Sequence, residues 1–160
     1  MTRILDVAIT HAAKPAVIER LLDAYLEELL GAGHRDYPYL SRYWSEPDRH
    51  PFVILADRRT AGFALVRDVE PDVLHEMSEF YVVPALRRQG VGRRAATLLF
   101  ERFGGRWQLQ FAVANARARS FWRFVVPAAT ETPNPNVLVH TMTWIASNPS
   151  TGTRTPDVSR

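Results

Sequence analysis

A mixed β-sheet flanked by helices, an α/β (α+β) arrangement, is the fold class this sequence predicts, and three observations predict it. Apolar residues switch between a helical and an alternating period in the order strand, helix, three strands in series, helix, strand, helix, strand. Glycines close the two longer helical patterns, Gly31 after the first and Gly104 with Gly105 after the second. A chain of 160 residues can bury one core but hardly two, which predicts a single domain over residues 1–147 with 148–160 as a flexible tail.

The elements follow in chain order. Ile4 to Thr10 reads as the first strand. Pro15 opens a helix in which Val17/Ile18, Leu21/Leu22, Tyr25/Leu26 and Leu29/Leu30 recur on one face. His34 to Pro51, rich in aromatics and turn formers, predicts a loop or a short helical piece. Phe52 to Ala56 and Ala61 to Arg67 form a hairpin around Asp57-Arg58-Arg59-Thr60, and Leu74 to Val83 is the third strand of the series. After Gly90, the residues Val91, Ala95, Leu98, Leu99 and Phe103 repeat with helical spacing. Trp107 to Val113 is again a strand. Asn115 can cap a helix that carries Ala118, Phe121, Trp122 and Val125 on one face. The Pro-rich Thr130 to Asn136 reads as a connection to a last strand, Val137 to Ile145.

Composition narrows the chemistry. Apolar residues at 46% and charged residues at 23% are ordinary for a soluble domain, and no apolar run reaches bilayer length. The N-terminal residues lack the pattern of a secretion signal, so a cytoplasmic location and no membrane partner are expected. Cysteine is absent, which excludes disulfides, thiolate metal sites and a cysteine nucleophile.

Charge is divided unevenly along the chain. From Ala85 to Val125 nine arginines face a single acid, Glu101, which amounts to +8 in a chain whose net charge is +3, so the remainder carries −5. Such asymmetry predicts a local site for a polyanion. The excess is densest in Pro84 to Ala96, where Arg87, Arg88, Arg93 and Arg94 surround Gly90 and Gly92 at the start of a helix. A helix N-terminus already carries partial positive charge and unpaired N–H groups, so a ligand must supply the negative charge. Two glycines would let it approach the backbone. Neither GxxxxGK[ST] nor GxGxxG occurs, since residue 95 is alanine, and this excludes a P-loop or a dinucleotide fingerprint.

Arg87-Arg88-Gln89-Gly90-Val91-Gly92 resembles the R/Q-x-x-G-x-G/A signature of the GCN5-related N-acetyltransferase (GNAT) superfamily. Ser78 to Pro84 is similar to the family's fourth strand, and Asn115, Ala118, Phe121 and Trp122 resemble its N-x-x-A-x-x-[apolar]-Tyr pattern after the fifth. The resemblance implies a mostly antiparallel central sheet with a V-shaped splay between strands 4 and 5. It also implies direct acetyl transfer from acetyl-CoA, as cosubstrate and without a metal, to an amine-bearing acceptor; a homodimer is compatible with it. Under it, the backbone of Val82 and Val83 would hold the pantetheine arm, and Arg87, Arg88, Gln89, Gly90, Val91, Gly92 and Arg93 the pyrophosphate. Asn115 would face the cofactor arm as well as, or instead of, capping its helix. Trp122 stands where the family has a tyrosine that protonates the leaving thiolate. Indole cannot do this, and Trp122 serves either the cofactor arm or the core. A thiol with a pKa of ~8.5 leaves tolerably without a dedicated acid.

An amine must lose a proton before it attacks, and a carboxylate on the fourth strand is the natural base. Strict alternation puts Met77, Glu79 and Tyr81 on one face and Glu76, Ser78 and Phe80 on the other, so a single acid would line the cleft. Glu79 is the expected base, with Glu76 and His75 next. Tyr37, Tyr39, Tyr43 and Trp44, with Asp36 and Glu46, suit either a wall around a small cationic acceptor or a packed loop. The rival readings are a non-catalytic acyl-CoA-binding module of the same fold and a nucleic-acid binder using Trp107, Phe111 and Trp122. Those aromatics fall at predicted core positions, so no nucleic-acid partner is expected.

Overall fold

The computed structural model describes residues 3–31, 37–134 and 136–146; the predicted tail and Asp36 lie outside them. The elements are β1 (Val7–His11), α1 (Ala16–Leu30), α2 (Arg42–Ser45), β2 (Arg49–Ala56), β3 (Arg59–Glu70), β4 (Leu74–Val82), α3 (Val91–Phe103), β5 (Gly105–Ala112), α4 (Ala116–Val125), β6 (Thr130–Asn134) and β7 (Val139–Ala146). The strands form one sheet in the order β1-β2-β3-β4-β5-β7-β6. Every pairing is antiparallel except β4 with β5.

Local chemistry accounts for the boundaries. Both central residues of the β2–β3 turn, Asp57 and Arg58, have positive φ, as a two-residue turn matched to strand twist requires. Gly31 and Gly104 stop α1 and α3 with positive φ. Asn115 caps α4 by accepting from the Ala118 N–H at 3.1 Å. The Pro-rich stretch after α4 is a strand, β6, where a connection was expected. It forms the edge of the sheet, where Pro133 needs no partner for the N–H it lacks.

Helices cover both faces. Ile18, Leu22 and Leu26 of α1 pack on Val53, Phe63, Leu65 and Tyr81. On the opposite face, Ala96 and Leu99 of α3 and Trp122 of α4 pack with Ala64, Val66, Met77, Leu109 and Phe111. Buried apolar area on both faces is the main force holding the layers together.

Two features of β4 position the site. Its parallel pairing with β5 is confined to Leu74–Glu76 against Arg106–Gln108, although β4 runs on to Val82 and β5 to Ala112. Beyond Met77 the two strands therefore diverge and leave a wedge. The second feature is a β-bulge: Leu65 pairs with Glu79 but Val66 pairs with Met77, so Ser78 is an extra residue. The expected alternation fails there. Met77 joins the α3/α4 face, whereas Glu76, opposite Arg67, returns to the Glu79 face.

Candidate active site

Glu79 projects on the α1 face of β4, where Tyr25, from the middle of α1, donates its hydroxyl to Glu79 Oε2. Burial holds the Glu79 carboxyl above the usual carboxylate range, and the Tyr25 and Tyr37 hydroxyls partly oppose that shift by favouring the charged form. Burial and the Glu79 charge raise both phenols, so they stay protonated and remain donors. The result is an oriented carboxylate ready to accept a proton.

Because of the bulge, Glu76, Ser78 and Glu79 line one cavity of about 410 Å³ together with Tyr37, Tyr43 and Arg67. The expectation of a single acid in the cleft is thus corrected. The two carboxylates differ in their surroundings. Glu76 accepts from Ser78 Oγ at 3.1 Å and Gln108 Nε2 at 2.8 Å and lies 3.4 Å from Arg67 Nη2, so its charge is already compensated. His75 is buried on the other face, its Nδ1 2.8 Å from Asp68 Oδ1, and does not reach the cavity. Trp44 likewise points away, donating to the Ala12 carbonyl at 2.8 Å, while Glu46 is bound to Arg49 at 2.8 Å.

At the wide end of the wedge, α3 begins without a side-chain cap: Gly90 occupies the N-cap with φ 80°, and the first intrahelical bond there runs from the Arg94 N–H to the Gly90 carbonyl. The N–H groups of Val91, Gly92 and Arg93 thus face outward at the positive end of the helix dipole. Arg88, Gln89 and Arg93 are exposed beside them, with Gln89 reaching back to the Ala85 carbonyl at 3.0 Å.

Three sequence expectations change here. Arg87 does not face this turn: its Nε donates to the Val82 carbonyl at 2.9 Å and its fork grips Glu28 of α1 at 2.6 and 2.7 Å. Arg117 binds the same Glu28, so one acid distant in sequence occupies two of the arginines in the basic segment. Val83 is engaged on both sides, its N–H with the Ala61 carbonyl and its carbonyl with the Leu86 N–H, and offers no backbone group to a ligand. Strand alternation then turns Phe80 and Val82 toward the wedge instead. Gly92, finally, is small for packing: a Cβ there would lie 3.1 Å from the Phe121 ring and 3.6 Å from Val82. Gly90, by contrast, has open space around it.

Trp122 is 7% exposed and lies edge-on to Phe80 and Phe121, whose rings stack on each other at 5.7 Å. Its core role is evident, and the Asn115 cap is likewise formed. Tyr25 and Arg67 were missed because nothing local marks them: Tyr25 repeats within an apolar helical stripe like any core residue.

A family model described as acetyltransferase (GNAT) family matches residues 16–124, which span α1 to α4 and so contain the wedge, Glu79 and the α3 turn. The chain belongs to the GNAT acetyltransferase family. Solved structures agree in fold. An acetyltransferase from Streptococcus agalactiae superposes with a TM-score of 0.67 at 13% identity, covering 87% of this chain and 98% of that one. An aminoglycoside acetyltransferase from an uncultured soil metagenomic sample, in complex with sisomicin, gives 0.64 at 17% over 82% and 93%. The PaiA N-acetyltransferase from Thermoplasma acidophilum, in complex with coenzyme A, gives 0.63 at 15% over 88% and 99%. No curated protein sequence matches significantly. Among the described residues of this GNAT chain, no group of His, Asp and Glu is placed to hold a metal, and no helix is long and apolar enough to cross a membrane.

Proposed function

We propose that this chain transfers an acetyl group from acetyl-CoA to a primary amine, with Glu79 as the base. The observation that carries this reading is the pairing of a tyrosine-held carboxylate on the bulged β4 with an uncapped, arginine-flanked helix start at the wide end of the same wedge.

The residues fit coenzyme A. The N–H groups of Val91, Gly92 and Arg93, with the exposed Arg88 and Arg93 side chains, would hold the pyrophosphate. The β4 edge at Phe80, with the N–H of Val82 whose carbonyl is already taken by Arg87, would hold the amide-bearing arm, since a strand edge without a partner needs hydrogen bonds of its own kind. When bound, acetyl-CoA supplies an activated acyl group as a thioester. Glu79 accepts the proton that the acceptor ammonium must lose, and Tyr25 keeps the receiving oxygen in place throughout. Trp122 excludes water from behind the wedge and packs Phe80 and Phe121, with no proton to give.

The non-catalytic alternative is separated by one comparison: acetyl-CoA turnover with a panel of amines, measured beside CoA binding. Binding without transfer to any amine would reject the enzymatic reading. A charge-reversed variant, Arg88→Glu with Arg93→Glu, is expected to weaken CoA binding by about 10- to 100-fold, and more at low salt. Its apo melting temperature should stay near that of the parent, because both residues are exposed; Arg93 adds only a cation–π contact with Phe124. Calorimetric titration at two salt concentrations reads this directly. Equal affinity in parent and variant would remove the turn from the site.

A further inference from the structure

The cavity beside Glu79 is more cationic than its aromatic walls suggest. Arg42 comes from α2, Arg49 from the start of β2 and Arg67 from β3, and all three line it. Two carboxylates serve them. Glu46 is shared by Arg49, at 2.8 Å, and Arg42, at 3.7 Å, and Glu76 lies 3.4 Å from Arg67. Since Glu79 faces the amine, one guanidinium charge is left over.

Arg67 is the group with capacity to spare. A guanidinium has five donors, yet among the described residues Arg67 makes only the long contact with Glu76, and its Nε is buried without a hydrogen-bond partner. Buried donors without acceptors are rare because each forgoes a hydrogen bond that water would have supplied. A planar anion in the cavity answers the excess charge shared among the three guanidinium groups and gives the Arg67 fork a second partner beside Glu76. Register then sets the scale: Glu79 pairs with Leu65, and Arg67 is the next residue of β3 on that face. Anion and amine must therefore sit close together on one small molecule, in keeping with a cavity of about 410 Å³.

We propose that the acceptor is a small zwitterion, an amine bearing a carboxylate a few bonds away, with Arg67 receiving the carboxylate while Glu79 faces the amine. This rests on the acetyl-transfer reading for the fate of the amine, but recognition of the carboxylate can be measured separately. Free amino acids with one, two or three carbons between the two groups are compared with their amides, with the decarboxylated amines and with a peptide N-terminus. Both kcat/KM for acetylation and calorimetric binding in the presence of CoA are recorded.

The carboxylate-bearing amine is expected to be preferred at least tenfold over its amide, because a site built to hydrogen-bond a group rejects the analogue without it. In Arg67→Met the preference should fall toward one, through KM, and Arg67→Lys should restore part of it. The peptide N-terminus, whose carboxyl is tied up in an amide, should behave like the amides. Carboxylate preference in binding with no acetylation at all would reject acetyl transfer but uphold the site. Equal treatment of acid and amide in both measurements, an equally good peptide, or an unchanged preference in the folded Arg67 variants would overturn the proposal; should the Met variant not fold, the parent panel and the Lys variant decide.

Discussion

Glu79→Gln is expected to lower acetyl transfer by on the order of 10²-fold or more near neutral pH while raising the melting temperature. Glutamine keeps the shape and can still accept from the Tyr25 hydroxyl, but it has no proton affinity to offer the amine. The stability change follows from linkage. Burial raises the Glu79 pKa, so over the window between its unfolded and folded values the native state binds more protons than the unfolded state. Stability is thus lost as pH rises through that window, and above it the fold carries an under-solvated charge. Glutamine removes the charge, and Tm should rise by about 2–4 °C near neutrality, the scale of ~1 kcal/mol in a domain of this length. The gain should vanish below the unfolded pKa, where the parent carboxyl is neutral in both states. Part of the lost activity should return at high pH as free amine accumulates. A variant with parental turnover and pH dependence would move the base elsewhere; Glu76, held by Ser78, Gln108 and Arg67, is a poor candidate.

Gly62→Ala is expected to destabilise the protein by about 3–5 kcal/mol and to abolish activity through loss of the fold. Gly62 sits in β3 opposite Val82, and a Cβ built on it would fall within the van der Waals shell of the Tyr81 carbonyl oxygen, 2.9 Å from Tyr81 C and 3.0 Å from Val82 Cα. These are backbone atoms, so no side chain can rotate away. Relief requires β3 and β4 to separate, which would undo the Ala61–Val83 hydrogen bond and shift the strand that carries Glu79. Thermal denaturation and circular dichroism would report the change. A variant with parental Tm would show that the strands absorb the methyl group, and that Gly62 is not required for close approach.

Most of the fold was legible because its signals are local. Gly31 and Gly104 stop helices through backbone freedom, Asn115 caps through its own side chain, and the periods of α1 and α3 are written in neighbouring residues. β6 escaped notice because Pro133 disfavours a strand everywhere except at an edge, and edge position is a property of the assembled sheet.

The sequence by itself determined the family, the helix-terminal turn at Gly90 and the candidacy of Glu79, each of which depends on residues a few positions apart. Tertiary structure decided what those residues meet. Arg87, counted among the groups awaiting an anion, is claimed by Glu28, 59 residues away in sequence, and Glu79 is held by Tyr25, which reads only as core. The bulge at Ser78 turned Glu76 into the same cavity as Glu79 and brought Arg67 alongside. An extra residue in a strand reverses the face of everything on one side of it, and its position is set by the register with β3, a pairing between strands that no local pattern encodes.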